Sequence, residues 1–367
     1  MNGHQAQWFT RSASFGRALG ITACITACSA LGACGGPLPP ADRPDPSLAP
    51  AAPTASPTTP SGTDGPVAAS SSDDVTKGTA AIKAGDWTGA RAAFEAAVKK
   101  NPKQADAHYY LGLVMDKAGD KAVAEKSYRT ALELQPDLQE AAENLTAIYV
   151  EGQKYDEAIA VARKSLAKNA KNAGMQLNLA FALSGKGDVD GASKAFEDAV
   201  KLAPNDAQYY LAYAQHLGAA KKTDDAIAKL KQAQRVAGDD PALLGTIGYE
   251  LKTLRAVPEC IAAFDKAIAV KDNADFRTNR AQCRYVAKDK PGAMADLQAA
   301  IAKEPGFAPA HYWLGSWLHE DGKFVEAAAE YDAYLKAAPK GPMAKVAEAK
   351  SKLAKEKKKP EKPAPKK

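Results

Sequence analysis

The chain has 367 residues, of which 25% are charged, and a formal net charge of +6. Seven lysines and two glutamates between Lys355 and Lys367 supply +5 of that charge, so the remainder is close to neutral. A near-neutral body excludes the basic face that a nucleic-acid-binding protein needs.

The first 34 residues have the features of an export signal. Arg11 and Arg17 supply a basic region, and residues 18–31 form a weakly apolar stretch that is too short for a permanent transmembrane helix. The stretch ends in Leu31-Gly32-Ala33-Cys34, which resembles the lipobox of bacterial lipoproteins. In that family the cysteine becomes the amino terminus and carries acyl chains such as palmitate, which anchor the protein to a membrane.

Two further cysteines leave alternatives open for this assignment. Cys24 and Cys28 end similar tetrapeptides, although each would leave a shorter apolar stretch after Arg17 and neither precedes a linker. A simple cleaved signal with incidental cysteines is the third alternative. We expect lipidation at Cys34. Gly35, rather than Asp, at the next position favours sorting to the outer membrane, with the protein facing the periplasm.

Residues 35–72 are predicted to form a disordered tether. Ten prolines occur among residues 35–70, with Ala, Ser, Thr and Gly filling much of the rest. Such a composition cannot bury a core. We expect this segment to hold the folded part of the chain away from the membrane.

A pattern of about thirty-four residues recurs eight times within residues 73–341. Its clearest column holds a small residue, with one step of 33: Ala90, Ala124, Ala158, Ala192, Ala226, Cys260, Ala293 and Ala327. A second small column lies twelve residues earlier: Gly78, Gly112, Thr146, Ala180, Ala214, Gly248, Ala281 and Gly315. A third, mostly bulky column lies four residues later: Phe94, Tyr128, Ala162, Phe196, Leu230, Phe264, Leu297 and Tyr331. These spacings predict pairs of helices that pack through small residues.

The turn residues agree with this prediction. Gly85-Asp86, Gly119-Asp120 and Gly187-Asp188 combine a left-handed helix end with an N-cap acceptor. Period, columns and turns together resemble the tetratricopeptide repeat. The resemblance implies an all-α fold, a right-handed superhelical α-solenoid of about eight helix pairs. Residues 342–354 would form a C-terminal capping helix, and residues 355–367 a Lys-rich disordered tail.

Two places depart from the repeat pattern. The third repeat has Thr146 and Ala162 where glycine and an aromatic residue are usual. The sixth repeat ends in Asp272, and the next begins one residue early. These departures indicate either softer joints in the solenoid or the ordinary drift of a tolerant repeat.

Cys260 and Cys283 would be the only free thiols of an exported, lipidated chain. They fall on the second helix of repeat six and the first helix of repeat seven, which are adjacent and antiparallel, so a disulfide between them can form. Two buried small residues are the alternative, because Cys260 occupies the alanine column.

No motif for catalysis or metal binding is present in the sequence. Phosphate-binding glycine loops, paired metal-binding histidines and nucleophile elbows are all missing, and the histidines fall at packing positions. We therefore expect no enzymatic activity, no cofactor, no metal and no small-molecule substrate.

In the tetratricopeptide repeat family, fixed positions on the first helix of each repeat line a concave groove that binds partners. In this chain those positions hold Tyr109, Tyr110, Leu113, Asn144, Leu177, Asn178, Phe181, Leu211, Gln215, Tyr249, Asn279, Tyr285, Tyr312 and Trp313. Aromatic and amide side chains suit a helix or an extended peptide of another protein.

Two functions remain open from the sequence. The first is a lipid-anchored periplasmic scaffold or assembly factor that binds protein segments of an envelope machine, as in pilus-assembly or gliding-motility lipoproteins. The second is a recruiting or regulatory subunit of a cell-wall or surface-polysaccharide enzyme complex.

Overall fold

The computed structural model describes residues 72–357, and every regular element in that range is a helix. The bounds are α1 (Asp73–Ala84), α2 (Trp87–Lys100), α3 (Ala105–Lys117), α4 (Lys121–Leu134), α5 (Gln139–Glu151), α6 (Tyr155–Lys168), α7 (Ala173–Lys186), α8 (Val189–Leu202), α9 (Ala207–Ala219), α10 (Thr223–Val236), α11 (Pro241–Thr253), α12 (Val257–Val270), α13 (Ala274–Val286), α14 (Lys290–Lys303), α15 (Ala308–Glu320), α16 (Phe324–Ala337) and α17 (Ala344–Lys357). Each odd-numbered helix up to α15 packs on the even-numbered helix that follows it. The predicted all-α solenoid of eight helix pairs is therefore confirmed. The predicted signal with Cys34 and the tether lie outside the described residues.

Every repeat turns from its first helix to its second through one residue in the left-handed region. In four repeats this residue is a glycine, as the sequence predicts for Gly85, which has a φ of 78°. In the other four repeats the same position is occupied by Gln153, Lys221, Arg255 and Lys288. A left-handed conformation costs a non-glycine residue about 1 kcal/mol, so the packing of the helix pair imposes this turn.

The columns of small and bulky residues interlock inside each helix pair. A Cβ atom added to Gly78 would lie 2.5 Å from Cε1 of Phe94, and one added to Gly112 would lie 2.7 Å from Cδ1 of Tyr128. Phe94 and Tyr128 are fully buried. Burial of each such ring contributes about 2 kcal/mol, and the small column makes room for it.

Contacts between repeats define the inner side of the solenoid. Several first helices contact the first helix of the next repeat, α5 with α7 most extensively. Among the described residues, no two second helices contact each other to a similar extent. First helices therefore lie closer together than second helices, which places them on the concave side.

The seventh repeat contains a polar core that the sequence analysis did not predict. Arg277, Arg280 and Arg284 of α13 all approach Asp296 of α14, whose side chain is 3% exposed. Arg280 donates from Nε to Asp296 Oδ2 at 2.9 Å, and Arg284 donates to the same oxygen at 3.0 Å. We call these four residues the arginine cluster.

The last helix, α17, covers the end of the solenoid by packing on α16. Ala347, Ser351 and Ala354 are buried, and Ser351 Oγ donates to Asp332 Oδ1 at 2.7 Å. Lys355 pairs with the same aspartate. This pairing explains why the helix continues to Lys357, three residues past the predicted boundary of the capping helix and into the predicted tail. The rest of that tail lies outside the described residues.

Candidate protein-interaction surface

The candidate surface is the solvent-facing side of the first helices, which we call the inner wall. The structure divides the predicted groove residues into two groups by burial. Half-buried residues retain part of their surface for a partner: Tyr110, Leu177, Phe181, Gln215, Tyr249, Asn279, Tyr285 and Trp313. Buried residues serve the packing of the solenoid: Tyr109, Leu113, Asn144, Asn178, Leu211 and Tyr312.

Two buried asparagines show why some of the predicted groove residues are not exposed to solvent. Asn144 donates from Nδ2 to the hydroxyl of Tyr128 in the preceding repeat at 3.3 Å. Asn178 donates from Nδ2 to the backbone carbonyl of Glu143 at 3.2 Å. Both amides tie one repeat to the next. These two side chains are buried and have a structural role in the array, and their predicted contact with a partner stays a prediction.

In repeats 2 to 5 the exposed part of the inner wall includes aromatic and apolar side chains. Tyr110 stacks on Phe94 with ring centroids 5.3 Å apart, and Phe181 meets Phe196 edge-on at 5.5 Å. Leu177, between them in the sequence, packs against the same core. One side of each side chain is thus fixed by packing, which lowers the entropy lost when a partner covers the other side.

The same section of the inner wall carries carboxylates close to its tyrosines. Burial raises the pKa of Tyr110, and the nearby Asp106 and Glu140 raise it further. Burial likewise raises the pKa of Tyr109, with further contributions from Glu140 and Glu143. The carboxylates of two successive repeats therefore converge on one pair of rings.

In repeats 6 to 8 the inner wall is more polar, and neighbouring repeats are joined by side-chain hydrogen bonds. Lys252 donates from Nζ to Asn279 Oδ1 at 2.5 Å and to Gln282 Oε1 at 3.1 Å. Burial lowers the pKa of Lys252 to about 8, against an opposing contribution from Asp275. The ammonium also lies 4.9 Å from the ring centroid of Tyr249.

Side-chain hydrogen bonds also join two further pairs of neighbouring repeats in the carboxy-terminal half. Gln215 donates from Nε2 to Glu250 Oε1 at 2.8 Å, and the hydroxyl of Tyr285 donates to Glu320. Sequence reasoning missed Lys252 and Glu320 as members of this surface. Lys252 lies three residues beyond Tyr249 and Glu320 lies seven residues beyond Trp313, so both have the spacing of the same helix face as a predicted position.

Large aromatic rings accumulate at the eighth repeat. Tyr285 stacks on the buried Trp317 with centroids 4.3 Å apart and planes 2° from parallel. The half-buried Trp313 lies against Trp317 at 6.0 Å. This end of the inner wall therefore offers an indole and a phenol ring held in place by a buried neighbour.

A disulfide joins α12 to α13. Cys260 and Cys283 are bonded in the structure, with Cα atoms 6.4 Å apart, and both side chains are buried. The bond connects the sixth repeat to the repeat that contains the arginine cluster.

The described residues show neither a metal site nor a membrane span. Between residues 72 and 357, no group of three or more His, Cys, Asp or Glu side chains could hold a metal ion. None of the helices in this range combines the length and the apolar character needed to cross a bilayer.

Comparisons with known proteins agree with the helix pairs. Two family models, both described as tetratricopeptide repeat, match this chain, one at residues 75–138, 116–173 and 295–342 and the other at residues 149–215. A comparison with curated proteins gives no match.

Solved structures with a similar arrangement of helices include three bacterial proteins. A tetratricopeptide repeat protein from Parabacteroides merdae is 16% identical, with a TM-score of 0.47, over 63% of this chain and 92% of that chain. MamA from Desulfovibrio magneticus is 16% identical, with a TM-score of 0.43, over 47% and 99%. A thermophilic TPR protein from Thermus thermophilus is 21% identical, with a TM-score of 0.42, over 49% and 98%. The family-model matches span just over half of the chain, and the chain belongs to the tetratricopeptide repeat family.

Proposed function

We propose that this protein is a lipid-anchored periplasmic scaffold that binds segments of other proteins along its inner wall while an envelope machine is assembled. The coarser part of this statement follows from the fold, since tetratricopeptide repeat proteins bind protein partners and are generally non-catalytic. The periplasmic location, the lipid anchor and the machine are the proposal itself.

One observation carries the binding role. Half-buried rings recur on the first helices of repeats 2, 4, 6, 7 and 8, each with one side fixed by packing and the other open to solvent. Rigid aromatic residues supply large contact area at little cost in side-chain entropy, which is why they dominate binding energy at protein interfaces. The surface extends along the array, as an elongated polypeptide partner requires.

Two features support export and anchoring. The amino-terminal sequence ends its apolar stretch in Leu31-Gly32-Ala33-Cys34. A buried disulfide between Cys260 and Cys283 suits the oxidising periplasm, since cytosolic proteins rarely keep such bonds. In this proposal, acylation of Cys34 attaches the chain to the membrane.

Photo-crosslinking in cells tests the binding role. A photoreactive residue at position 249, on the inner wall, should trap a distinct polypeptide that mass spectrometry can identify as an envelope component. The matched control places the same residue at position 266, which is exposed on the second helix α12. Equal trapping from both positions, or binding of purified glycan or peptidoglycan with no trapped polypeptide, would contradict the proposal.

Metabolic labelling with an acyl-chain analogue tests the anchor independently. We expect the label on the wild-type chain to be lost in Cys34→Ala and kept in Cys24→Ala and Cys28→Ala. Undiminished labelling of Cys34→Ala would refute the anchor while leaving the binding role intact.

A further inference from the structure

On the inner wall of repeats 2 to 5, one group of four columns contains acidic side chains and no basic ones. The four columns are the first-turn acid of the first helix and the three predicted groove positions. Their members are Asp106, Tyr109, Tyr110, Leu113, Glu140, Glu143, Asn144, Ala147, Gly174, Leu177, Asn178, Phe181, Gln208, Leu211, Ala212 and Gln215. Three of these residues are acids, and none is Lys, Arg or His. In water this section of the wall presents aromatic and apolar side chains beside negative charge.

Several acids elsewhere in the same repeats form ion pairs with lysines. Asp116 and Glu151 share Lys121, and Glu125 pairs with Lys154. In contrast, no described lysine or arginine forms an ion pair with Asp106 or Glu140, although both are half-buried. A carboxylate that is partly withdrawn from water and lacks a cation gains when a partner supplies one.

The neighbouring ring adds a second preference for cations. Tyr110 is half-buried, and Asp106 and Glu140 lie close enough to raise the pKa of its hydroxyl. An ammonium or guanidinium group above a tyrosine face is attracted by the ring as well as by the acids beside it. The aliphatic stems of further Lys or Arg side chains of the same segment can cover the apolar surface of Leu177 and Phe181 in repeat 4.

We propose that the inner wall of repeats 2 to 5 binds an extended segment of a partner protein that carries lysine or arginine side chains. The charged groups would lie at Asp106 and Glu140 and over Tyr110, with the stems and the backbone along Leu177 and Phe181. This inference rests on the proposed function, because it names the chemistry of the partner that the inner wall selects.

Three labelled synthetic peptides of equal length test the inference, with alternate residues lysine, glutamine or glutamate. Fluorescence anisotropy against the purified full chain at low ionic strength should rank them lysine, then glutamine, then glutamate. The double variant Asp106→Asn, Glu140→Gln should weaken the lysine peptide about tenfold, which corresponds to about 1.4 kcal/mol, and should leave the glutamine peptide unchanged. Added salt should reduce the lysine-peptide affinity in the wild type more than in the variant.

A control with the same change in charge is available outside the wall. Glu133 of α4 and Asp137 of the following loop are exposed and lie off the first helices. Glu133→Gln, Asp137→Asn should keep the wild-type affinity for the lysine peptide. An equal loss in this control would attribute the effect to net charge and would overturn the site.

Other outcomes separate this inference from the proposed function. Equal binding of the lysine and glutamine peptides, both weakened by Phe181→Ala, would overturn the cation preference and keep the groove. Tighter binding of the lysine peptide after removal of residues 358–367 would show that the chain's own tail occupies the wall, which would overturn the assignment to a partner protein. Binding of none of the three peptides overturns this inference in any case. If the cross-linker at position 249 also traps nothing, the proposed function falls as well.

Discussion

In the third repeat Ala162 stands where the neighbouring repeats carry a bulky side chain, and in the seventh repeat Arg280 and Arg284 stand where the other repeats carry mostly apolar residues. In the third repeat a side chain of the next repeat fills the space. Met175 of α7 is fully buried beside Ala162, and the contact between α5 and α7 is more extensive than that between any other described pair of first helices. The seventh repeat instead surrounds Asp296 with guanidinium groups.

The comparison shows that the solenoid tolerates a lost ring through packing and a polar core through charge pairing. The two arrangements differ in the free-energy cost of a single substitution. An apolar gap costs only the contacts that are lost, whereas a buried charge left without its partner also retains the cost of desolvation. The seventh repeat should therefore be the more sensitive of the two to single substitutions.

The largest effect is expected from Asp296→Ala. Without this carboxylate the three arginines keep only their exposed or distant partners, so we expect a loss of about 3 to 5 kcal/mol in the free energy of unfolding. Urea unfolding followed by circular dichroism gives the size, and hydrogen exchange should locate the loss in α13 and α14. The control Asp265→Ala removes a half-exposed partner of Arg280 and should cost less than about 1 kcal/mol.

A pattern-restoring variant sharpens this test. Arg280→Leu, Arg284→Leu and Asp296→Ala together replace three of the four cluster residues by the residue types that other repeats have in these columns, and they leave Arg277 paired with Asp272. Apolar replacement of a whole buried ionic group is commonly neutral or stabilising, so most of the loss in Asp296→Ala should be recovered. If the triple variant is as unstable as Asp296→Ala, the loss does not come from unpaired charge.

The third repeat is tested by Met175→Ala. Removing a fully buried methionine leaves a cavity beside Ala162, and we expect a loss of about 2 to 5 kcal/mol. Adding Ala162→Leu should recover part of the lost free energy of unfolding, because the new side chain enters the space that Met175 has left. In the wild-type background Ala162→Leu should instead destabilise, by about 1 to 3 kcal/mol, through overpacking. Additive effects of the two substitutions would contradict the proposed exchange of volume.

The disulfide provides the next smaller effect. Replacing Cys260 and Cys283 by alanine should lower the free energy of unfolding by about 2 to 4 kcal/mol, chiefly by releasing the loop between them in the unfolded chain. Mass spectrometry without reductant establishes whether the purified protein contains the bond. If the bond is present and its removal changes nothing, repeats 6 and 7 are held by their remaining contacts alone.

The sequence predicted the helix pairs because the evidence was local. Small and bulky residues in three columns, with glycine and aspartate at the turns, specify each pair almost independently of its neighbours. The arginine cluster was readable in principle, since Arg277, Arg280 and Arg284 have the spacing of one helix face. Their partner Asp296 lies on the following helix, and no local rule connects them.

The sequence predicted that the first helices form a binding surface, but it did not predict which of their side chains are exposed. Which side chains remain exposed depends on how far each repeat covers its neighbour, and this follows from packing across about thirty-four residues. Asn144 and Asn178 fit the groove pattern and are nevertheless used between repeats. Asp106 and Glu140 were not selected, because acids in the first turn of a helix are common for reasons unrelated to binding.

The smallest effect concerns the eighth repeat, in which a histidine stands in place of one arginine of the arginine cluster and pairs with an acid on the following helix. His311 and Glu330 occupy the columns of Arg277 and Asp296, and His311 Nδ1 lies 2.6 Å from Glu330 Oε2. The hydrogen bond to Glu330 raises the pKa of His311, and the hydrogen bond to the carbonyl of Pro305 raises it further. Burial of the ring has the opposite effect but is outweighed.

A raised histidine pKa gives this pair a pH dependence of known sign. The folded state binds the proton more tightly than the unfolded state, so the stabilisation is complete below about pH 6.5 and disappears as the pH rises through the higher folded-state pKa. Buried His216 has a lowered pKa and acts in the opposite sense, so total stability alone does not isolate the pair. The informative quantity is the difference between wild type and His311→Gln in urea midpoint. We expect it to be larger at pH 6 than at pH 8. A difference that does not change with pH would mean that His311 stabilises the eighth repeat as a neutral ring.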